Sequence, residues 1–597
     1  MKSYLPVAGR LLAAAGIFLL ALATARAQGV SERDYFDELP VVMSVSRLSQ
    51  ALRDVPGAVT VIDRETIRRS GARDVADVLR LVPGFLYTHL NGATPQAVYH
   101  SAMDSYGARM QVYVDGRSVY SSFLFGDTKT GLRGLILEDI ERIEVLRGSN
   151  SASYGANAFL GVVNVVTVNA ADTHGTALAV TGGNRGINDN YARHGWGSEG
   201  RHFRISAARR SDRGFENQFD DRHESVVQFR ADLAPSARDE LRLQLGGNRV
   251  SAGEGEGTAG NSFRTVEQGS YHAQLQWRHH LGTDETVELR ASHEREFTKD
   301  TAFVSGTVGG SPVRALSSND GYVARSELSL QHSLTAGSGL RLAYGGEWRH
   351  EVLRAPGLYY NAGKISLHVW RGFGTVEWRP HAQWLLQASG LVEGHSQTGT
   401  SFSPRLAVNF HAAPDHTLRA GVSKSWRAPN FYELRADTRW FNLRPGVALI
   451  PVGTQVPGLG WPYLSTGTVR PESLVAQEVG YLCQLRPLNL KLDVRAFVER
   501  MNDRIDTQSR SVPCPLVACS ALDFVNRTGP RLQGIEYQLA WRPWSGTRVE
   551  FAEAQVSSKP GFRADEAREA PYRSSALAWY QDLPRGFDLA LIGTAAT

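Results

Sequence analysis

The chain has 597 residues, 42% apolar, 21% charged and 9% aromatic, with 59 glycines. It is too long for one ordinary domain, and the mix suits a β-rich protein with many turns. The formal charge of +5 is scattered, with no basic run or recognition motif, which excludes nucleic acid as a partner.

Lys2 and Arg10 precede an apolar run over 11–22 and then Ala25-Arg26-Ala27. These are the parts of a secretory signal peptide, residues 1–27, with Gln28 as the first mature residue. The run is shorter than the roughly 18–20 residues of a membrane span, and no later stretch is longer, so helical spans are not expected. Residues 28–58 read as a linker turning into a first strand. Within it lies Glu38-Leu39-Pro40-Val41-Val42-Met43-Ser44-Val45. Val41, Met43 and Val45 share one side of an extended segment, and Pro40 marks its start. Such a segment suits strand addition to a partner's sheet edge, with the first strand of the domain that follows as the alternative.

Residues 59–169 read as a small mixed α/β domain. Asp63-Arg64-Glu65-Thr66-Ile67 opens one helix. Asp74 opens another, with Val75, Val78 and Leu79 on one face, and Pro83-Gly84 stops it. A polar loop follows, AVYHSAMDSYGARM, carrying His100, Met103 and Tyr106. Asp115-Gly116-Arg117 is a hairpin turn between two strand-like runs, so Asp115 is a turn former rather than a catalytic acid. Ile143 and Val145 then alternate with Glu144 and Leu146 in a half-buried strand ending at Arg147-Gly148. Gly148, Gly155 and Gly161 permit turns and close backbone approach around small residues, and 162–168 reads as a buried strand.

From 173 the pattern changes to repeated period-two segments, roughly 18 of them, near the ~10-residue repeat of a transmembrane barrel. Tyr271, Ala273, Leu275 and Trp277 face one way; His272, Gln274, Gln276 and Arg278 face the other. Trp277, Trp348, Trp378, Trp541 and Trp579 recur near segment ends, as an aromatic girdle would. The irregular segment 437–468 carries Trp440, Phe441, Trp461 and Tyr463 and reads as an extracellular loop suited to an amphipathic ligand, or as one packed on itself. Cys514 and Cys519 lie in one Pro-containing loop and can pair in an oxidising compartment; Cys483 is left over. A metal site at the first two would need further ligands, and no His or Cys stands at that spacing. His279-His280 point to opposite faces and do not chelate as a pair. No protease, hydrolase, phosphate-binding or zinc motif occurs, so neither catalysis nor a cofactor is expected.

The run IERIEVLRGSNSASYGANAFLGVVNVVT, residues 140–167, resembles the plug signature of the TonB-dependent outer-membrane receptors. VPGAVTVIDRETI, GARDVADVLRLVPGF and QVYVDGRSVY extend the resemblance through 59–169. SPRLAVNF, SWRAPNFYEL, RPESLVAQEVGY and LQGIEYQLAW extend it through the repeated strands. The resemblance implies a mostly β protein of the Gram-negative outer membrane: a plug domain inside a large antiparallel barrel at 173–597. The family's barrels have about 22 strands. The count here is lower, and the ending LALIGTAAT lacks a terminal aromatic, so the barrel is expected to be C-terminally incomplete. The resemblance also makes 38–45 a TonB box, read by TonB with its inner-membrane energising complex. It implies that Glu141, Arg142, Glu144 and Arg147, with Gly148 and Gly155, seat the plug. It places His100, Met103, Tyr106 and the aromatic residues of 437–468 in ligand-facing loops. The implied function is receptor and energised uptake of a scarce nutrient, an iron–siderophore complex first, cobalamin or another metal complex as the alternative. A passive pore, an adhesin or a non-functional truncated barrel is the reading of a different class.

Overall fold

Alternating residues beyond 173 build one antiparallel sheet in the computed structural model, which describes residues 41–42, 47–100, 107–258, 260–308, 311–360, 362–438, 440–442, 463–512, 519–562 and 571–597. The sheet has 19 strands, from Gly175–Gly182 to Phe587–Ala596. The count from periodicity, roughly 18, is close because side-chain alternation is a local signal. Gly175–Gly182 and Phe587–Ala596 each pair on one side only among the described residues.

Strands run from 8 to 19 residues. Apart from Gly175–Gly182, every strand of the sheet has 10 residues or more, and a tilted strand needs roughly 9–11 to cross the hydrocarbon core. Tight turns such as Arg486–Leu488 connect them at one end. The other end carries long excursions: the hairpin of Arg504–Val512 and Cys519–Arg527, and the sheet of Thr301–Val308, Ser311–Ser318 and Trp440–Asn442. Short turns mark the periplasmic side and long loops the extracellular side. No helix among the described residues is long and apolar enough to cross a membrane.

Facing follows the alternation. Tyr271 and Leu275 are exposed, whereas Gln274 and Gln276 are buried toward the lumen, and Gln274 donates to the Asp115 carbonyl at 2.8 Å. Trp348, Trp370, Trp378, Trp384 and Trp579 also stand exposed on the outer wall, which is the surface that lipid covers.

The lumen holds the α/β domain. Its five-stranded sheet runs in the order Ala58–Asp63, Ile140–Arg147, Gly161–Thr167, Met110–Val114, Arg117–Ser118. Both expected helices are present and capped: Asp63 accepts from the Thr66 amide at 2.6 Å, and Asp74 from that of Asp77 at 2.9 Å. Val75, Val78 and Leu79 pack on Ile143, Val145, Val163 and Val165. Leu474 and Met501 of the barrel join the same core, so plug and wall share apolar burial.

The packed domain starts earlier than 59. The turn Leu52–Asp54 aims Leu52 inward, and Leu52 and Val55 pack with Val59 and Leu146. Val41–Val42 pairs with Gln50–Ala51, Val41 opposite Ala51 and Val42 opposite Gln50. Those two residues therefore form a short strand against the domain's entry. Glu38, Leu39, Pro40, Met43, Ser44 and Val45 lie outside the described residues.

Candidate functional site

The strand Ile140–Arg147 carries its charges to different places. Arg147 is 1% exposed and donates to Glu536 on the barrel at 3.1 Å. Glu536 also accepts from Tyr99 at 2.6 Å and hydrogen-bonds His100 at 2.5 Å, with Arg495 at 3.5 Å. Arg495 pairs with Glu478 at 2.7 Å and Glu499 at 3.0 Å. Glu478 in turn holds Arg405, which donates to the Ser149 carbonyl at 2.8 Å. Glu144 is instead held inside the plug, by Arg142 at 2.9 Å and Asn164 at 3.2 Å, and Glu141 is exposed. Arg147 thus reaches the barrel wall, while strand alternation turns Glu144 to the other side of the plug sheet, where Arg142 and Asn164 meet it.

Gly148 shows why the turn after Arg147 needs glycine. Its φ is +94°, and a Cβ there would stand 2.5 Å from Arg495 Nη2. Gly155 has φ +77° and backs directly onto the Arg371–Glu393 pair.

Other plug–wall contacts carry no recognisable signature in sequence. Arg109 grips Glu472 with two bonds, 3.0 and 2.7 Å, and Arg117 meets Glu294 at 2.6 Å. Asp115 is indeed a turn former, with φ 48° followed by Gly116 at 84°. It is also a hub. It accepts from the Thr167 amide at 3.0 Å, the Thr167 hydroxyl at 2.6 Å and Gln244 at 2.6 Å, with Arg230 at 3.7 Å. Charges on an otherwise buried hairpin were the only hint available.

Burial pushes the Asp115 carboxyl up, but Arg230, Arg242 and the Thr167 bonds outweigh it and bring it from 3.8 to about 2. A depressed carboxylate stabilises the fold above its unfolded value, and that contribution is lost as pH falls through the folded one. Asp115→Asn is therefore expected to destabilise the protein by about 2 kcal/mol at neutral pH. The gap should close between pH 3.8 and about 2. Urea unfolding at stepped pH measures it; a gap that stays constant through that window would contradict the assignment.

The plug apex is an aromatic contact. Ser121 and Asp127 bridge a loop in which Leu124 takes φ 51°. Phe125 points outward, its ring centroid 5.1 Å from Tyr432, 5.9 Å from Tyr463 and 6.4 Å from Phe524. Tyr463 and Phe524 stack at 5.4 Å. Tyr432 sits on the helix Phe431–Arg435, whose Asn430 and Glu433 form a capping box. Glu433 also binds Arg427 at 2.8 Å, and Arg427 binds Glu472, the partner of Arg109, at 2.7 Å. Ion pairs thus run without a break from the aromatic cage to the body of the plug.

The expected ligand-loop residues separate accordingly. Tyr463 joins the cage. Trp440 and Phe441 lie in the short strand opposite Ser317 and Leu316. His100 does not reach the outer surface. Its φ is 56°, which turns the ring to the barrel wall, stacked between Tyr99 at 3.7 Å and Phe497 at 4.8 Å, with no side-chain exposure. Met103, Tyr106, Trp461 and Cys514 lie outside the described residues, and so does the expected Cys514–Cys519 pairing. Cys519 opens its strand opposite Val512, and Cys483 is a buried free thiol. Among the described residues no group of three or more His, Cys, Asp or Glu is placed to hold a metal ion. Phe125, Tyr432 and Phe524 are the site residues that sequence reasoning missed; the apolar run Phe123-Leu124-Phe125 was the signal that could have found the apex.

A lumen filled by its own folded domain is not an open pore; cargo can cross only if that domain rearranges. Such an architecture defines a plugged transport receptor of the Gram-negative outer membrane. Residues 51–162 match the model of the TonB-dependent Receptor Plug Domain, and 167–595 that of the TonB dependent receptor-like beta-barrel. The chain belongs to the TonB-dependent receptor family. It is 24% identical over 530 residues to the iron-regulated outer membrane virulence protein of Vibrio cholerae, covering 84% of this chain and 73% of that protein. It is 23% identical over 407 residues to the vitamin B12 transporter BtuB of Vibrio vulnificus, covering 66% and 64%. The crystal structure of the siderophore receptor PirA from Acinetobacter baumannii shares the fold with TM-score 0.70 at 16% identity, over 90% of this chain and 85% of that one.

Proposed function

We propose that the chain binds an iron–siderophore complex at the extracellular mouth and imports it with energy delivered by TonB. The observation that carries this is the cage of Phe125, Tyr432, Tyr463 and Phe524, where the plug apex meets the outer loops. Tyr432 and Phe524 are buried and Phe125 and Tyr463 half-buried, so a large amphipathic chelate would engage the two half-buried rings and act directly on the plug. The relatives named for iron regulation and siderophore reception support the same cargo. The sequence carries no phosphate-binding loop, and energy for import would come from a partner through residues 38–45. Among the described residues Val41–Val42 pairs with Gln50–Ala51, and a partner strand that captures the segment would displace this ladder.

The test is radio-iron uptake by the full chain in a Gram-negative strain stripped of its own siderophore receptors. Uptake of one siderophore class, stopped by a protonophore, is expected. Cobalamin uptake with no iron-chelate uptake would transfer the reading to the vitamin, as the resemblance to BtuB allows. Phe125→Ala is expected to weaken chelate binding about fivefold, one aromatic contact being worth roughly 1 kcal/mol. An unchanged dissociation constant in equilibrium binding would remove the cage from the ligand path.

A further inference from the structure

The outer wall carries a feature that transport through the lumen does not use. Across five neighbouring strands, Lys424, Val475, Arg500, Arg531 and Lys559 are successive Cα partners in one line. Alternation points the line outward, because the adjacent residues face in. Leu474 and Met501 belong to the plug core, Ser425 hydrogen-bonds Ser149, and Leu532 packs on Phe497. The line lies where these strands meet the extracellular loops.

Four cations thus stand within about 19 Å along the membrane edge, at roughly 4.8 Å per strand. None of them forms an ion pair among the described residues. Arg531 Nε is buried without a hydrogen-bond partner. Lys424 Nζ lies 4.4 Å from the ring centroid of Trp426. Of the carboxylates on the same strands, Glu472, Glu478, Asp493, Glu499, Glu536 and Glu550 face the plug side, and Glu553, on the outer face, is paired with Arg573 at 2.6 Å, so none neutralises the row.

Directly below it, toward the membrane centre, the wall is hollowed into a groove of about 880 Å³. Ala420 and Ala496 form its floor, and Leu406, Val422, Val479 and Ile535 its sides. Those four side residues are 39–59% exposed. The next line of partners below the cations, Val422, Gln477, Val498, Gln533 and Ser557, carries no charge. An anion with an apolar tail matches both halves of this surface. The cation row is wider than one phosphate, and arginine forks bind phosphate oxygens in pairs.

We propose that this face binds a bisphosphorylated glycolipid of the outer leaflet, with acyl chains in the groove and phosphates along Lys424, Arg500, Arg531 and Lys559. Native mass spectrometry of the full chain in detergent tests it, with bisphosphorylated lipid A as probe. Its dephosphorylated form and phosphatidylglycerol serve as comparisons. The double variant R500Q/R531Q is expected to retain at least about tenfold less probe. R295Q/K299Q, elsewhere on the wall, should retain as much as the parent. Ala496→Trp keeps all four charges but fills the groove, and should also lose the probe. Unchanged melting of each variant separates lost binding from lost folding. Equal retention by R500Q/R531Q and the parent, equal retention of dephosphorylated lipid, or preferential retention of phosphatidylglycerol would overturn the proposal. So would a dimer of the chain that occupies this face and excludes the probe.

Discussion

Arg147→Met is expected to loosen the seated plug by about 3 kcal/mol, the lower end of what removing one partner of a buried pair costs. The side chain has no solvent exposure, and neither has Glu536, its partner at 3.1 Å. Methionine fills much of the volume, so the loss is electrostatic rather than a cavity. The Glu536 carboxylate would remain buried with less positive charge around it. His100 and Arg495 still reach it, which keeps the effect from the upper end of the range. Arg147→Met combined with Glu536→Gln should recover part of the loss, because no unpaired carboxylate is then left behind. Protease resistance of the plug and conductance in planar bilayers read the effect. Wild-type resistance and a silent bilayer in the single variant would show that the pair does not hold the plug.

Deleting residues 38–45 is expected to reduce uptake to background while leaving the equilibrium affinity for ligand unchanged. The segment is remote from the cage in chain order and in place, since Val41–Val42 pairs at the periplasmic entry of the plug. Binding draws on the apex and loops; energy draws on this segment. The split between the two readouts is what distinguishes a coupled transporter from a passive pore or an adhesin. Uptake that persists after the deletion would exclude coupling through this segment. A matched loss of binding would instead mean that the deletion had disturbed the plug.

Much of the architecture is legible from particular residues. Alternation at Tyr271, Gln274, Leu275 and Gln276 states which face meets lipid and which meets the plug, because side chains in a strand change sides at every residue. Asp63 and Asp74 announce helix starts through bonds that reach only three residues ahead. Asp115-Gly116 announces its turn because few other residues take positive φ at low cost. These are all local rules, and each holds in the folded chain.

The site is less legible, for a physical reason. Glu536 lies 389 residues from Arg147, and Glu472 lies 363 from Arg109, so no local pattern links them. His100 reads as a loop residue by composition, yet its positive φ turns it to the wall. Phe125 earns no notice in its short loop until Tyr432 of a helix, Tyr463 and Phe524 of a strand arrive from far along the chain. The sequence by itself determined the compartment, the plug, the strand array and the family, because periodicity, capping and turn chemistry act over a few residues. Only the tertiary structure decided which plug charges meet the wall, which rings gather at the apex and which cations line the outer wall. Those pairings arise when strands far apart in the chain come into register, and that register is set by the whole sheet rather than by any segment of it.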